Sequence, residues 1–288
     1  MSSAAVVFSA VPTLFSGDGD LDLDANRRLH KFVAGLVDGL FVAGTTGEFP
    51  ALDDSERLSV LEAALAEAGP DRVIAHVGAA DARHAARLAR AAAARGATRI
   101  AAVTPFYLPA RLSELTAYYV RIRDAAPGPE CYAYIFPERT GVRLPPALFA
   151  EIAGRAGLAG AKVSGSAAAD LAGYVAAAPG LRIFSGDDRD PAAAMRAGAA
   201  GVISGRSAAY PEVYAALTAA LRAGDARAAG RAQQAIDRIV AAGQSIGRLK
   251  HALAVRGFGP ATARMAVDPP DPEVADVIPA LVMASAAF

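Results

Sequence analysis

The 288-residue sequence predicts an α/β protein folded as one (β/α)8 barrel with additional C-terminal helices. Two observations support this fold class. Eight short apolar runs alternate with eight longer helical stretches, and no linker or shift in composition interrupts the series. With 53% hydrophobic residues and a mean hydropathy of +0.28, the chain can bury the large core that such a barrel needs. A doubly wound sheet, the alternative, would require a change of strand order that nothing in the sequence marks.

The predicted strands are short runs of apolar and β-branched residues, a pattern typical of parallel strands buried on both faces. They cover Val6 to Val11, Gly39 to Ala43, Val73 to Val77, Arg99 to Val103, Cys131 to Ile135, Leu158 to Val163, Leu181 to Phe184 and Ala200 to Ile203. Each run is followed by polar, glycine or proline residues, which indicates that a loop begins there.

The predicted helices occupy the intervals between strands and carry apolar residues at helical spacing. They cover Asp24 to Val37, Asp53 to Ala68, Asp81 to Arg95, Leu112 to Ala125, Pro145 to Arg155, Ala167 to Ala178, Pro191 to Ala197 and Pro211 to Arg222. Asp or Pro near several starts suits a helix N-terminus, and glycines such as Gly39, Gly69 and Gly157 mark the expected helix ends.

Residues 223–288, here termed the C-terminal extension, follow the last predicted unit of the barrel. Helices are predicted over Ala226 to Ala242 and Ile246 to Val255, followed by a proline-rich stretch from Pro260 to Pro272 and a final helix. We therefore expect residues 1–222 to form the barrel and the C-terminal extension to pack on it.

Charge and composition limit the possible partners. The 29 basic and 29 acidic residues cancel, so the chain lacks the broad positive field with which proteins bind nucleic acids or anionic membranes. No apolar run reaches the roughly 18 residues of a membrane span, and Met1 to Ser9 contains no basic residue before its apolar ones. The single cysteine, Cys131, cannot form an internal disulfide. We expect a cytoplasmic protein that binds small molecules.

The residues that follow the strands are unusual for ordinary loops. Since the active site of such a barrel lies at the carboxyl ends of its strands, these segments are the candidates for chemistry. They are Gly44-Thr45-Thr46-Gly47-Glu48 after strand two, Thr104-Pro105-Phe106-Tyr107 after strand four, Tyr134 to Gly141 after strand five, Ser185 to Asp188 after strand seven, and Ile203-Ser204-Gly205 after strand eight.

Lysine is scarce enough for its positions to be informative. The chain has three, Lys31, Lys162 and Lys250, and Lys162 lies in the predicted sixth strand. Burial disfavours the charged ammonium and so increases the neutral amine that attacks a carbonyl, as imine catalysis requires. The alternative is a lysine at a strand end that reaches solvent or pairs with Asp187 or Asp188.

Two further segments fit such chemistry. The turn from Gly44 to Gly47 offers hydroxyls and backbone N–H groups suited to a carboxylate, with Glu48 expected as a structural acid. Tyr134 offers a phenol for proton transfer, although a lone tyrosine is commonly only a residue at the edge of the core. The four histidines show no metal-ligand spacing, and no phosphate-binding loop is present, so neither a metal nor an organic cofactor is predicted. His76 is expected to be a hydrogen-bonded strand histidine.

Together, these motifs closely resemble the dihydrodipicolinate synthase/N-acetylneuraminate lyase family of class I aldolases. The matching segments are GTTGE, TPFY, Y-x-x-P-x-R-T-G, G-x-K, SGDD and GVIS, in order and over nearly the whole chain. The resemblance implies a TIM barrel with C-terminal helices, a Schiff-base lyase that uses pyruvate or another 2-oxo acid without a cofactor, and a homotetramer built as a dimer of dimers.

The resemblance also implies a role for each matched residue. Lys162 would form the imine, Tyr134 would be the general acid/base, and Thr45 would link Tyr134 to Tyr107, which reaches a neighbouring subunit. The residues expected to bind substrate are Thr46 and Gly47 for the pyruvate carboxylate, Arg139 for an acidic aldehyde, and Gly186 and Ile203 as pocket walls.

The aldehyde partner is less closely defined. Arg139 favours a synthase that condenses pyruvate with aspartate semialdehyde, whereas Phe49 and Ile135 replace residues usual in the synthases and favour an aldolase for 2-oxo-3-deoxy sugar acids or 4-hydroxy-2-oxoglutarate. Phe106, Ala80 and His84 stand where regulated synthases form their lysine pocket, so we expect no inhibition by lysine. A metal-dependent aldolase and a non-catalytic 2-oxo acid binder are the remaining alternatives.

Overall fold

A computed structural model describes residues 5–288, so the first four residues of the Met1 to Ser9 segment considered above lie outside the described residues. Eight parallel strands form a closed barrel in which sequence order is also spatial order. The strands are β1 Val7–Ala10, β2 Gly39–Val42, β3 Val73–His76, β4 Arg99–Val103, β5 Glu130–Ile135, β6 Gly160–Val163, β7 Arg182–Ser185 and β8 Gly201–Ser204. The predicted (β/α)8 fold class is confirmed.

Helices alternate with the strands and continue into the C-terminal extension. They are α1 Leu23–Ala34, α2 Asp54–Ala68, α3 Ala82–Ala94, α4 Leu112–Ala125, α5 Pro137–Thr140, α6 Pro146–Ala156, α7 Ser166–Ala169, α8 Leu171–Ala177, α9 Pro191–Arg196, α10 Pro211–Ala223, α11 Ala226–Ala241, α12 Ile246–Val255 and α13 Pro272–Ala286. Within residues 5–288, none of these helices is both long and apolar enough to cross a bilayer.

Two helix predictions were wrong in detail. The first helix ends at Ala34, where Gly35 caps it, so the helix end expected near Gly39 was wrong. The predicted start of the second strand at Gly39 is confirmed. A side chain at position 39 would overlap the Phe8 ring and the Arg72 carbonyl, so glycine is needed there for close packing. The predicted helix from Ala167 to Ala178 is interrupted at Asp170, whose φ of −106° and ψ of 33° depart from helical geometry, and α8 begins at the next residue without a side-chain capping bond.

The contacts of the chain group it into two compact units. The first contains residues 5–72, 188–190 and 204–288, with β1, β2 and the C-terminal helices; the second contains residues 73–187 and 191–203, with β3 to β7. In the first unit α13 contacts α10, α11 and α12. The division predicted at residue 222 stays a prediction.

In the second unit, strand register brings candidate residues side by side. Val103 on β4 pairs with Tyr134 on β5, Tyr134 pairs with Lys162 on β6, and Lys162 pairs with Phe184 on β7. Because neighbouring residues in register point to the same face of a sheet, these side chains form one row.

Candidate active site

Lys162 and Tyr134, the lysine and the tyrosine predicted as site residues, lie against each other. Lys162 is only 6% exposed, and its Nζ atom is 4.5 Å from the centre of the Tyr134 ring. Burial excludes the interpretation in which Lys162 is a strand-end lysine reaching solvent. An amine held against a phenol in a water-poor site is suited to carbonyl addition and proton transfer.

Aromatic rings hold Tyr134 in place. The Tyr134 side chain is buried, and its ring lies 6.1 Å from the ring of His76, edge to face, and 6.1 Å from that of Phe136. The Nε2 atom of His76 accepts the backbone N–H of Val103 at 3.2 Å. His76 is therefore a hydrogen-bonded strand histidine, as predicted, which packs against Tyr134.

Gly186 follows β7 at a point where a side chain has no room. Its N–H donates to the Val163 carbonyl at 2.7 Å, and a Cβ there would overlap the buried Ser164 hydroxyl. Glycine thus lets the loop after β7 approach the end of β6, two residues from Lys162. Sequence reasoning missed Ser164, although its place directly after the lysine strand could have indicated it. Ile203 is buried in β8.

Tyr107, in the loop after β4, is exposed, whereas Lys162 is buried. Its side chain is 92% exposed, and its backbone has a φ of +81°, a left-handed conformation that costs a non-glycine residue about 1–3 kcal/mol. With Phe106 and Ala80, Tyr107 lines an open surface pocket of about 410 Å³. Strain retained at an exposed aromatic residue is a feature of functional loops.

The loop after β5 presents Arg139 on the short helix α5. Its guanidinium lies 5.7 Å from the centre of the Phe136 ring, and its side chain is exposed. Thr104 donates to Thr140 at 3.0 Å, which joins this loop to the end of β4. The neighbouring Glu138 carboxylate accepts the Ser166 N–H at 2.8 Å, and hydrogen bonds from the Ser166 side chain and then from its backbone hold the pKa of Glu138 below its usual value.

In the first unit, residues 44–48, termed the β2 turn, contain Thr45, Thr46 and Gly47. The N–H of Glu48 donates to Thr45 O at 3.1 Å, and the Thr13 hydroxyl donates to Gly47 O at 2.8 Å. A Cβ at position 47 would lie 3.1–3.3 Å from backbone atoms of Ala43 and Gly44, so glycine avoids a tight contact in the turn. Ala43 and Glu48, on either side of residues 44–47, adopt left-handed conformations with φ of +50° and +55°. Thr45 and Thr46 are half-buried and sit on a tightly determined backbone.

Sequence reasoning also missed two buried ion pairs of the first unit. The Glu48 carboxylate pairs with the Lys250 ammonium, and both side chains are fully buried. Asp188 pairs with Arg206 and accepts the Ser204 hydroxyl at 2.6 Å, so Arg206 is a buried structural cation. The scarcity of lysine pointed to Lys250 as much as to Lys162. Within residues 5–288, no three His, Cys, Asp or Glu side chains are grouped as potential metal ligands.

Known proteins match the chain over most of its length. The model of the dihydrodipicolinate synthetase family matches residues 3–276. The 4-hydroxy-tetrahydrodipicolinate synthase of Xanthomonas axonopodis pv. citri (strain 306) is 39% identical over 230 residues, which cover 79% of this chain and 76% of that protein.

Solved structures agree with this relationship. YagE, a prophage protein of the dihydrodipicolinic acid synthase family from E. coli K12 in complex with pyruvate, is 26% identical with a TM-score of 0.88 over 99% of each chain. A catalytic lysine mutant of the Ruminococcus gnavus sialic acid aldolase is 26% identical with a TM-score of 0.89, covering 100% of this chain and 98% of that chain. The protein is therefore an enzyme of the lyase type that belongs to the dihydrodipicolinate synthetase family.

Proposed function

We propose that this protein is a Schiff-base lyase that binds pyruvate, or another 2-oxo acid, through Lys162 without a cofactor. The observation that carries the proposal is the buried Lys162 amine placed against the Tyr134 ring. The pyruvate complex of YagE and the catalytic lysine of the sialic acid aldolase support it by relationship.

In the proposed reaction, neutral Lys162 adds to the 2-oxo carbon, and loss of water forms the imine. The protonated imine accepts electrons when a proton leaves the adjacent carbon, which gives an enamine. The enamine then adds to an aldehyde, and water releases the product from Lys162. The reverse sequence cleaves a carbon–carbon bond and releases pyruvate.

Other residues are assigned by their place in the motifs. Tyr134 transfers protons, with Thr45 and Tyr107 as the relay to solvent. Thr46 and the Gly47 N–H bind the carboxylate of the 2-oxo acid. Gly186 and Ile203 form pocket walls. The exposed, strained Tyr107 supports a role that is completed by a neighbouring subunit in a cytoplasmic homotetramer, arranged as a dimer of dimers.

The preferred reaction is condensation of pyruvate with an aldehyde that carries a carboxylate, such as aspartate semialdehyde. The exposed guanidinium of Arg139 favours this class because arginine binds carboxylates in a bidentate manner. The second candidate is a pyruvate-releasing aldolase for 2-oxo-3-deoxy sugar acids or 4-hydroxy-2-oxoglutarate. Phe49 and Ile135, together with the similarity to a sialic acid aldolase, favour that alternative.

The test is reductive trapping. The protein is incubated with pyruvate and borohydride, and intact mass and peptide mapping locate the adduct. We expect one reduced pyruvyl group on Lys162, absent from Lys162→Ala and retained in Lys31→Ala, whose lysine is exposed on α1. A folded wild-type protein without an adduct would overturn the pyruvate-imine proposal and favour a metal mechanism or a binding role.

Substrate comparison then separates the two reactions. Consumption of pyruvate with aspartate semialdehyde is measured beside release of pyruvate from 2-oxo-3-deoxy acids. Under the preferred assignment, Arg139→Ala raises the KM for aspartate semialdehyde and leaves the KM for pyruvate near its wild-type value. Efficient cleavage of the sugar acids with no condensation would establish the aldolase alternative instead.

A further inference from the structure

Glu48 ties the β2 turn to the C-terminal extension. One carboxylate oxygen, Oε2, accepts the backbone N–H groups of Arg264 at 2.9 Å and Met265 at 2.8 Å. The other, Oε1, faces the ammonium of Lys250 on α12. The last residue of the β2 turn is thus bound by three groups that lie more than 200 positions later in the sequence.

Further contacts fix the residues of the C-terminal extension that bind Glu48. Lys250 also donates to the Thr262 carbonyl at 2.7 Å, and its Nζ lies 4.2 Å from the centre of the Phe15 ring. The Arg264 guanidinium binds both oxygens of Glu56, each at 2.7 Å, and donates to Ala51 O at 3.1 Å. The segment from Lys250 to Arg264 therefore fixes the chain at Glu48 and again just beyond it.

The turn needs such support because its backbone is not in a relaxed conformation. Glu48 has a left-handed φ of +55°, which persists in a non-glycine residue only where surrounding contacts determine it. The extension also approaches the turn beside Thr46, because the Gln244 amide and the Thr46 hydroxyl both lie near Gly205. Loss of the Glu48 anchor would let the hydroxyls and N–H groups of residues 45–47 move apart.

We propose that Lys250 and Glu48 are positioning residues which hold the Thr45-Thr46-Gly47 turn in the geometry that binds the carboxylate of the 2-oxo acid. The ligand in this inference rests on the proposed function. The C-terminal extension then serves substrate binding without touching substrate. Glu48 directly follows Thr46 and Gly47, which are assigned to the carboxylate, and Thr45 of the proposed relay lies farther from it along the chain. Loss of the pair is therefore expected to raise the KM for pyruvate more than it lowers kcat.

Glu48→Gln tests the proposal against a matched control. Glu212 on α10 forms a similar pair with Arg256, the residue that follows helix α12, with both contacts at 2.9 Å, and is not bonded to the turn. Borohydride trapping gives the half-saturating pyruvate concentration, and steady-state rates give KM and kcat. In Glu48→Gln we expect that concentration to rise roughly 10-fold, with kcat within about threefold of wild type. In Glu212→Gln it stays at the wild-type value even where the unfolding temperature falls.

A second variant covers the case in which Glu48→Gln folds poorly. Glu48→Gln combined with Lys250→Met removes both charges and leaves no unpaired ion in the core, so it is expected to fold and to show the same rise in half-saturating pyruvate. A folded single or double variant that is trapped at the wild-type pyruvate concentration would overturn the proposal. Absence of trapping in the wild type would instead reject the proposed function, so the two failures are distinguishable.

Discussion

Lys162 and Lys250 are both buried, but their surroundings differ. Lys250 pairs with the Glu48 carboxylate and donates to the Thr262 carbonyl. Lys162 lies on strand β6, and its amine packs against the Tyr134 ring. A third buried base, His30 on α1, has no hydrogen-bond partner for either ring nitrogen among residues 5–288.

The comparison shows that burial alone does not identify a catalytic base. Desolvation disfavours the charged form of any buried lysine or histidine. At Lys250 burial lowers the pKa, and the hydrogen bond that the ammonium donates to the Glu48 carboxylate partly offsets this effect, so this lysine retains a compensating anion. At His30 burial acts without such a group and lowers the pKa to about 4. The group in contact with each lysine therefore separates the two. Lys250 lies against a carboxylate, as a structural ion pair requires, whereas Lys162 lies against a phenol at a strand end, as the proposed imine chemistry requires.

The largest expected effect separates the two lysines. Lys162→Ala should abolish the pyruvate adduct and leave the unfolding midpoint close to wild type. Lys250→Met should still be trapped at saturating pyruvate. Mass spectrometry after reduction and denaturant unfolding on the same samples measure both quantities. An adduct in Lys162→Ala, or none in folded Lys250→Met at saturation, would contradict the comparison.

The stability cost of Lys250→Met depends on its partner. The substitution leaves Glu48 buried beside a methyl group, and breaking such a pair costs about 3–5 kcal/mol. Replacing both members, with Glu48→Gln added, should recover a large part of that loss because no isolated charge remains. Urea unfolding of the wild type, the two single variants and the double variant gives the coupling energy. Additive losses would mean that the pair contributes no coupling.

His30 predicts a defined dependence of stability on pH. Its pKa is about 4 in the folded protein and about 6.5 in the unfolded chain, so the unfolded chain binds more protons between these values. Neutral, buried His30 therefore contributes about 3 kcal/mol to the free energy of unfolding above pH 6.5. This contribution is lost as the pH falls from 6.5 to about 4, and it stops changing below that pH. His30→Leu should remove that part of the loss of stability at acid pH. Equal pH slopes in wild type and His30→Leu would contradict this.

The smallest effect concerns Tyr107, which belongs to the proposed relay but is exposed instead of buried. Tyr107→Phe keeps the ring and removes the hydroxyl, so we expect kcat to fall roughly 10- to 100-fold while unfolding stays unchanged. Because the side chain is 92% exposed, stability should not depend on the hydroxyl. Leu108→Ala, at the next exposed position, is the control for general disturbance of the loop. Wild-type turnover in Tyr107→Phe would remove it from the relay.

Most of the barrel was predictable because its signals are local. Apolar runs and helical periodicity located the eight strands within a few residues. Errors arose where an end depends on packing: Gly39 resembles a helix stop, but the Phe8 ring and the Arg72 carbonyl require glycine there. The candidate site was predictable in part. Lys162 and Tyr134 occupy ends of neighbouring strands, so strand order alone places them together.

The remaining site features involve contacts between distant parts of the sequence. Glu48 and Lys250 are separated by about 200 residues, and no periodicity relates them. Arg206 could equally have faced solvent or substrate, and only its contact with Asp188 makes it a buried structural cation.

The sequence by itself determined the fold class, the family resemblance and the choice of Lys162, because strand and helix periods, residue scarcity and ordered motifs are properties of the linear chain. Tertiary structure alone decided which buried cations pair with a carboxylate, which contacts hold the β2 turn and its left-handed residue Glu48, and where a side chain would overlap its neighbours. Those outcomes depend on burial and on pairs of distant groups, since the free energy of a buried charge is set by its neighbours in space.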